Sequence, residues 1–281
     1  MFPGFYIADK FINSYAIVSL IGAFIAVPFT FYYYRKRCKA TADVILMFLI
    51  AAIGVFLGMH ILYGITNIQY FGLLFKVKDF WQFIQVAGLI FGGSVFYGGL
   101  LGGLAAGWIY IKKAKMDPAL TSDCAAPAIA IFHGFGRVGC FLGGCCYGVE
   151  SEHGIVFTDA LIESANGVPR VPVQLYEAAF EFLLFFVLWY FLAKGKFRGR
   201  LLCIYLTVYP VGRFILEFWR GDEYRGFLFG LSTSQIISII LFITAACVFI
   251  FSPRKNGEGP AEELPADGPE IIQTTEKEST Q

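Results

Sequence analysis

Apolar stretches of about 20 residues, the length a helix needs to cross a bilayer, recur along the chain at 14–34, 44–63, 89–111, 122–142, 173–193, 200–219 and 232–251. The pattern predicts an all-α fold, a polytopic membrane bundle of about seven transmembrane helices. Basic residues gather at alternate connections: Arg35, Lys36, Arg37 and Lys39, then Lys112, Lys113 and Lys115, then Lys194, Lys196, Arg198 and Arg200, then Arg254 and Lys255. By the positive-inside rule these connections are cytoplasmic, which puts the N-terminus outside and the C-terminus inside. Residues 1–251 read as one transmembrane domain with outer segments at 64–88 and 149–172. From residue 252 the chain turns to Pro, Gly, Glu and Thr with little to bury, so 252–281 reads as a disordered cytoplasmic tail.

Within the outer segments, Asp79 to Ile84 is aromatic and of mixed polarity, which suits either the headgroup layer or an ordinary connecting loop. Residues 149–172 are rich in Gly, Pro and acidic side chains and too few for an independent domain. The third span is dense in glycine, including Gly98, Gly99, Gly102 and Gly103, so a neighbouring backbone or a ligand can approach it closely.

Composition agrees with the membrane reading: 57% of the 281 residues are hydrophobic, 15% are charged, and the mean hydropathy is +0.64. A formal net charge of +1 gives no reason to expect a nucleic-acid partner, and none is expected. The first residues lack the basic start and cleavage site of a signal peptide, so the first span is expected to be retained.

Charge matters most where it is least expected. Arg137 lies on the fourth span, Glu177 and Glu181 on the fifth, and Arg213, Glu217 and Arg220 on the sixth. Each costs roughly 2.5–3.5 kcal/mol at a helix centre, so each needs a partner or a wet cavity. Counting about 1.5 Å per residue from the basic ends puts Arg137 and Arg213 each about 20 Å into a core about 30 Å thick. Glu177, Glu181 and Tyr97 reach the same layer. Helical spacing aligns His133, Arg137, Cys140 and Gly144 on one face, Gln174, Glu177 and Glu181 on a second, and Tyr209, Arg213, Glu217 and Arg220 on a third. Two readings follow. The charges are helix-ordering ion pairs, or the arginines form an anion site open toward the outer leaflet, for which a phosphate is the natural bilayer ligand.

His133 is either a satisfied bundle histidine or a base one turn from Arg137. Cys140, Cys145 and Cys146 are compatible with packing, a disulfide, a nucleophile or metal ligands; as a metal pattern C-x4-C-C is weak without a second pair. Neither a metal nor a cofactor is expected.

Four ordered motifs resemble those of the bacterial prolipoprotein diacylglyceryl transferases. Gly136-Arg137-Val138-Gly139-Cys140-Phe141 to Gly148 is similar to the family's Gly-Arg-x-Gly-Asn-Phe-x-Asn-x-Glu-x-x-Gly signature. Gly92 to Leu100 resembles its Gly-Gly-x-x-Phe-His-Gly-Gly segment, Pro172 to Glu177 its Pro-x-Gln-Leu-Tyr-Glu, and Tyr209 to Arg220 its Tyr-x-x-x-Arg-x-x-x-Glu-Phe-x-Arg. The resemblance implies a seven-helix inner-membrane enzyme that moves the diacylglyceryl group of phosphatidylglycerol to the lipobox cysteine of a prolipoprotein, releasing glycerol phosphate. It implies that Arg137 and Arg213 hold the lipid phosphate, that Tyr15 and Tyr209 border the site, and that Gln174, Glu177, Glu217 and Arg220 position the groups around them. Gly98, Gly99, Cys140 and Gly148 fall at matching motif positions.

The chain departs from the family pattern at three of them. Tyr97 stands where the family has histidine, Cys140 where it has asparagine, and Cys145 where it has glutamate. A tyrosine with an ordinary pKa near 10 is a poor base at neutral pH, which makes His133 the replacement imidazole and leaves Tyr97 to orient substrate. The partners expected are phosphatidylglycerol or a related anionic phospholipid, a prolipoprotein and the bilayer. The rival readings are a diverged phospholipid transferase with another acceptor and a non-catalytic lipid-binding or thiol-redox membrane protein.

Overall fold

The structure, a computed structural model, describes residues 1–36, 42–93, 95–160, 162–221 and 227–251, without the side chains of Phe96, Tyr97, Phe227 and Leu228. The tail expected at 252–281 and the basic residues Arg37, Lys39, Arg254 and Lys255 lie outside the described residues. Among the described residues the helices are α1 (Ser14–Arg35), α2 (Ala42–Thr66), α3 (Phe80–Phe91), α4 (Phe96–Lys113), α5 (Pro118–Gly143), α6 (Val173–Ala193), α7 (Leu201–Leu216) and α8 (Thr233–Phe251). Two-stranded antiparallel hairpins precede α1, β1 (Gly4–Ile7) with β2 (Lys10–Asn13), and join later helices, β3 (Glu150–Val156) with β4 (Pro169–Arg170) and β5 (Phe227–Leu228) with β6 (Leu231–Ser232).

Among the described residues six helices are long and apolar enough to cross a bilayer: α1, α2, α5, α6, α7 continued to Trp219, and α8. The single span expected at 89–111 is two helices. Gly92 and Gly93 interrupt it, and His60 Nδ1 lies 2.8 Å from both the Phe91 and Gly93 carbonyls, holding the break in place. Val95 N–H donates to Met59 O at 3.1 Å, which starts α4 against the end of α2. The 18 residues of α4 give about 27 Å of helix, and α4 is not among the six apolar spans. Its glycines let α2 and α4 touch backbone to backbone: a methyl group on Gly58 would sit 3.0 Å from Gly102 Cα.

The chain forms these helices with ordinary end signals. Asn13 Oδ1 accepts from Tyr15 N at 2.8 Å, Asp79 Oδ1 from Gln82 N at 2.8 Å, and Asp117 Oδ1 from Ala119 N at 2.9 Å with Pro118 opening α5. The Asp79 cap makes 80–91 a helix with exposed Phe80 and Trp81, where a headgroup-layer stretch or a loop was expected. Asp123, fully buried, accepts from Gly199 N at 2.5 Å and Leu201 N at 3.0 Å, tying the start of α5 to the α6–α7 turn.

The bundle is inverted relative to a soluble domain. Phe24, Leu49, Phe56, Leu183 and Phe186 are exposed on its outside, while Gln174, Glu177, Glu181, Arg213 and Glu217 are buried within. Segment 149–172 folds as the β3–β4 hairpin over a small cluster of Tyr147, Phe157 and Ala165. Arg170 lies 4.5 Å over the Tyr147 ring and donates to Ser164 O at 3.1 Å. One helical expectation is corrected: α7 ends at Leu216, followed by a 3-10 turn at Glu217–Trp219, and Arg220 has extended backbone (φ −74°, ψ 135°). Arg220 therefore leaves the helical face of Arg213 and forms a bridge with Gly148, just before β3.

Candidate active site

Three helices converge on one carboxylate. Glu177 Oε1 on α6 lies 3.0 Å from an Arg137 terminal nitrogen on α5 and accepts from the Tyr209 hydroxyl on α7 at 3.1 Å. Arg213 Nε is 3.9 Å from the same oxygen. The alignment expected from helical rise is thus a contact, because Arg137, Glu177 and Arg213 project inward at one level. A second group adjoins it: His133 Nδ1 lies 2.7 Å from Glu181 Oε1, which also accepts from Tyr205 OH at 3.3 Å. The other ring nitrogen of His133, Nε2, is 3.9 Å from Glu177 Oε1. Glu181 thus holds the Nδ1 edge of the ring and turns Nε2 toward Glu177, the carboxylate that Arg137 contacts.

Arg213 is held from its far side. Its guanidinium pairs with Glu217 at 2.6 Å, four residues on, and donates to Ser234 Oγ at the start of α8 at 3.1 Å. Arg137 and Arg213 thus stand against Glu177 and Glu217, with Glu181 beside them on His133. Arg137 Nε, Gln174 Oε1 and Glu181 Oε2 are buried and make no hydrogen bond to the described residues. Buried polar atoms of this kind are costly unless a ligand meets them.

The rim is built from the end of α5. Gly144, in the left-handed region at φ 70°, terminates the helix, and Cys145 N–H turns back to Cys140 O at 3.1 Å. Gln174 donates through Nε2 to Cys145 O at 2.7 Å, so a residue of α6 fixes the turn. Tyr15 packs on α5 at Gly139, where an added methyl would lie 3.0 Å from its ring. Gly148 N–H donates to Val171 O at 3.1 Å, and Val149 N–H to Trp219 O at 2.8 Å, which closes the outer segment over the site. The Sγ atoms of Cys140, Cys145 and Cys146 lie within 4.8 Å of one another, and these thiols are not joined in a disulfide.

The structure thus brings together Arg137, Arg213, His133, Glu177, Tyr209, Glu217, Gln174 and Cys140, with Tyr15, Gly148 and Arg220 at the rim. Gly98 and Gly99 are elsewhere, packed on α2: an added methyl on Gly98 would meet Leu62 Cβ at 2.5 Å, and one on Gly99 would meet Val55 Cγ1 at 3.3 Å. Tyr97 lies in the first turn of α4, and its side chain lies outside the described set. Glu181, read from the sequence as part of the polar layer, is the immediate partner of His133. Two further groups escape the sequence-derived site. Tyr205 stacks on Tyr209 with ring centroids 5.6 Å apart and planes 5° from parallel, and its spacing of four before Tyr209 carried the signal. Ser234 had none, because the α7–α8 connection is not helical.

Comparison with known proteins agrees with this arrangement. A family model of the prolipoprotein diacylglyceryl transferases matches residues 4–251. A phosphatidylglycerol-prolipoprotein diacylglyceryl transferase of Clostridium tetani is 37% identical over 218 residues, covering 76% of this chain and 83% of the relative. The second such transferase of Clostridium perfringens is 36% identical over 68% of this chain and 76% of its own, and that of Dehalococcoides mccartyi 29% identical over 90% and 94%. The match extends through every helix that contributes to the cluster around Glu177, and the chain belongs to the prolipoprotein diacylglyceryl transferase family.

Proposed function

We propose that this protein transfers the diacylglyceryl group of phosphatidylglycerol to the lipobox cysteine thiol of prolipoproteins. It does so in the inner membrane, with its N-terminus and site toward the outer leaflet. The observation that supports this most directly is the approach of Arg137 and Arg213 to one oxygen of Glu177, at 3.0 and 3.9 Å. Two guanidiniums converging on a single acceptor form a seat for one bridging anion. A phosphate suits it better than a carboxylate, since it offers oxygens to both forks at once.

In the reaction the acceptor thiolate attacks the glycerol carbon, the carbon–oxygen bond to phosphate breaks, and glycerol phosphate departs. Negative charge grows on the leaving oxygen, where Arg137 and Arg213 stabilise it. His133, oriented by Glu181, takes the thiol proton through Nε2. Tyr15 and Tyr209 border the lipid, Tyr97 orients substrate, and Gln174, Glu177, Glu217 and Arg220 hold the arginines and the rim. Gly98 and Gly99 act through packing, by placing α4 against α2.

The test is rescue of cells depleted of their own diacylglyceryl transferase. Expression of this chain restores thioether-linked lipid on lipoproteins. Membrane-inserted protein that restores none contradicts the proposed substrate pair.

A further inference from the structure

The three cysteines at the end of α5 are gathered by the fold rather than by the sequence. Gly144 reverses the chain, Cys146 itself takes a left-handed conformation (φ 59°), and Gln174 clamps the Cys145 carbonyl from α6. A non-glycine residue at positive φ is disfavoured relative to the right-handed form, and here it accompanies a turn that returns Cys145 and Cys146 toward Cys140. Packing alone asks for no sulfur in three places. Sulfur ligands around a tetrahedral zinc ion, each at about 2.3 Å, lie about 3.8 Å apart. The three Sγ atoms already fall within 4.8 Å of one another, so side-chain rotation closes the remaining gap.

We propose that Cys140, Cys145 and Cys146 form a binding site for a soft, thiolate-preferring metal ion, zinc(II) by its ligand chemistry, with the fourth position open to the acceptor thiol. Three thiolates and one dication carry a net charge of −1, and Arg137 lies one helical turn from Cys140 on α5. Three protein ligands with one open position are the arrangement of reactive rather than structural zinc sites. Cys140 is three residues from Arg137 on the same face of α5, so a thiol held at the open position lies beside the phosphate seat. Binding releases the protons of the three cysteines to solvent. Coordination of the incoming thiol releases its proton to His133 and leaves a thiolate poised toward the lipid. The metal site itself stands on the geometry of the three sulfurs; the role of its open position rests on the transferase reading.

Cobalt(II) titration of the purified, reduced full chain tests both parts. One cobalt ion per chain is expected, with a sulfur-to-cobalt charge-transfer band. The band is lost in Cys145→Ser and Cys146→Ser and kept in Cys247→Ser, a change on α8 away from the cluster. A lipobox peptide with its cysteine raises the band by about one third as three sulfur ligands become four, and a serine peptide does not. Reduced, folded protein that gives no band and binds no zinc overturns the site. So does mass spectrometry showing the thiols shielded from alkylation until reductant is added, rather than until chelator is added. A band indifferent to the cysteine peptide overturns the open-position role. Arg137→Ala separates the two readings, because it lowers transfer by roughly 10²-fold or more and keeps all three sulfur ligands, and with them the cobalt band.

Discussion

Arg137 of α5 and Glu177 of α6 meet at 3.0 Å in the interior of the bundle, and Glu177 Oε1 also accepts from Tyr209 of α7. One carboxylate therefore joins the three helices that supply the cluster. Replacing it leaves Arg137 without its partner in a low-dielectric interior, which costs about 3–5 kcal/mol. Glu177→Leu is expected to lower thermal stability in detergent by that order and to abolish transfer. Arg137→Lys, which keeps the charge and loses the fork, is expected to stay folded and lose most activity. Thermal unfolding monitored beside lipid transfer distinguishes the two.

Much of this cluster was legible before the fold. Hydropathy placed α1, α2, α5, α6 and α8 to within a few residues, and constant helical rise put Arg137, Arg213 and Glu177 at one level. Regular helices allow such counting because one residue is worth one fixed step. Where regularity ends, counting fails. The break at Gly92–Gly93 depends on His60 gripping two carbonyls from another helix, and Arg220 departs because α7 stops at Leu216. The convergence of Cys140, Cys145 and Cys146 depends on a left-handed turn fixed by Gln174 across a span of 29 residues. No local pattern encodes these contacts.

His133 is placed to accept the thiol proton, so His133→Gln is expected to reduce the rate by about 10²–10⁴. Glu181→Gln, which removes the carboxylate 2.7 Å from Nδ1, is expected to cost less. Single-turnover rates of the three folded proteins check the assignment; a His133→Gln rate equal to wild type refutes it.

The α2–α4 contact is expected to govern stability without touching the charged cluster. A methyl on Gly58 would lie 3.0 Å from Gly102 Cα, and crowding of this kind costs about 1–3 kcal/mol. Gly58→Val is expected to lower the unfolding temperature in detergent, and an unfolding temperature equal to wild type would contradict the close α2–α4 contact.

Asp123 gives a comparable prediction at the opposite end of α5. Asp123→Ala strips two backbone donors, at Gly199 and Leu201, of their acceptor. The expected loss is about 1–3 kcal/mol for each group left buried and unsatisfied. Hydrogen exchange at 199–201 should rise, with exchange at 133–140 unaffected.

The convergence of Arg137 and Arg213 is tested most directly by single-turnover transfer from labelled phosphatidylglycerol to a lipobox peptide. Purified wild-type protein is run beside Arg137→Ala and Arg213→Ala, each shown to be folded. The phosphate seat predicts labelled thioether product from wild type and a loss of roughly 10²-fold or more in each variant, the scale of removing a charge-stabilising donor. Equal turnover by wild type and Arg137→Ala would contradict it.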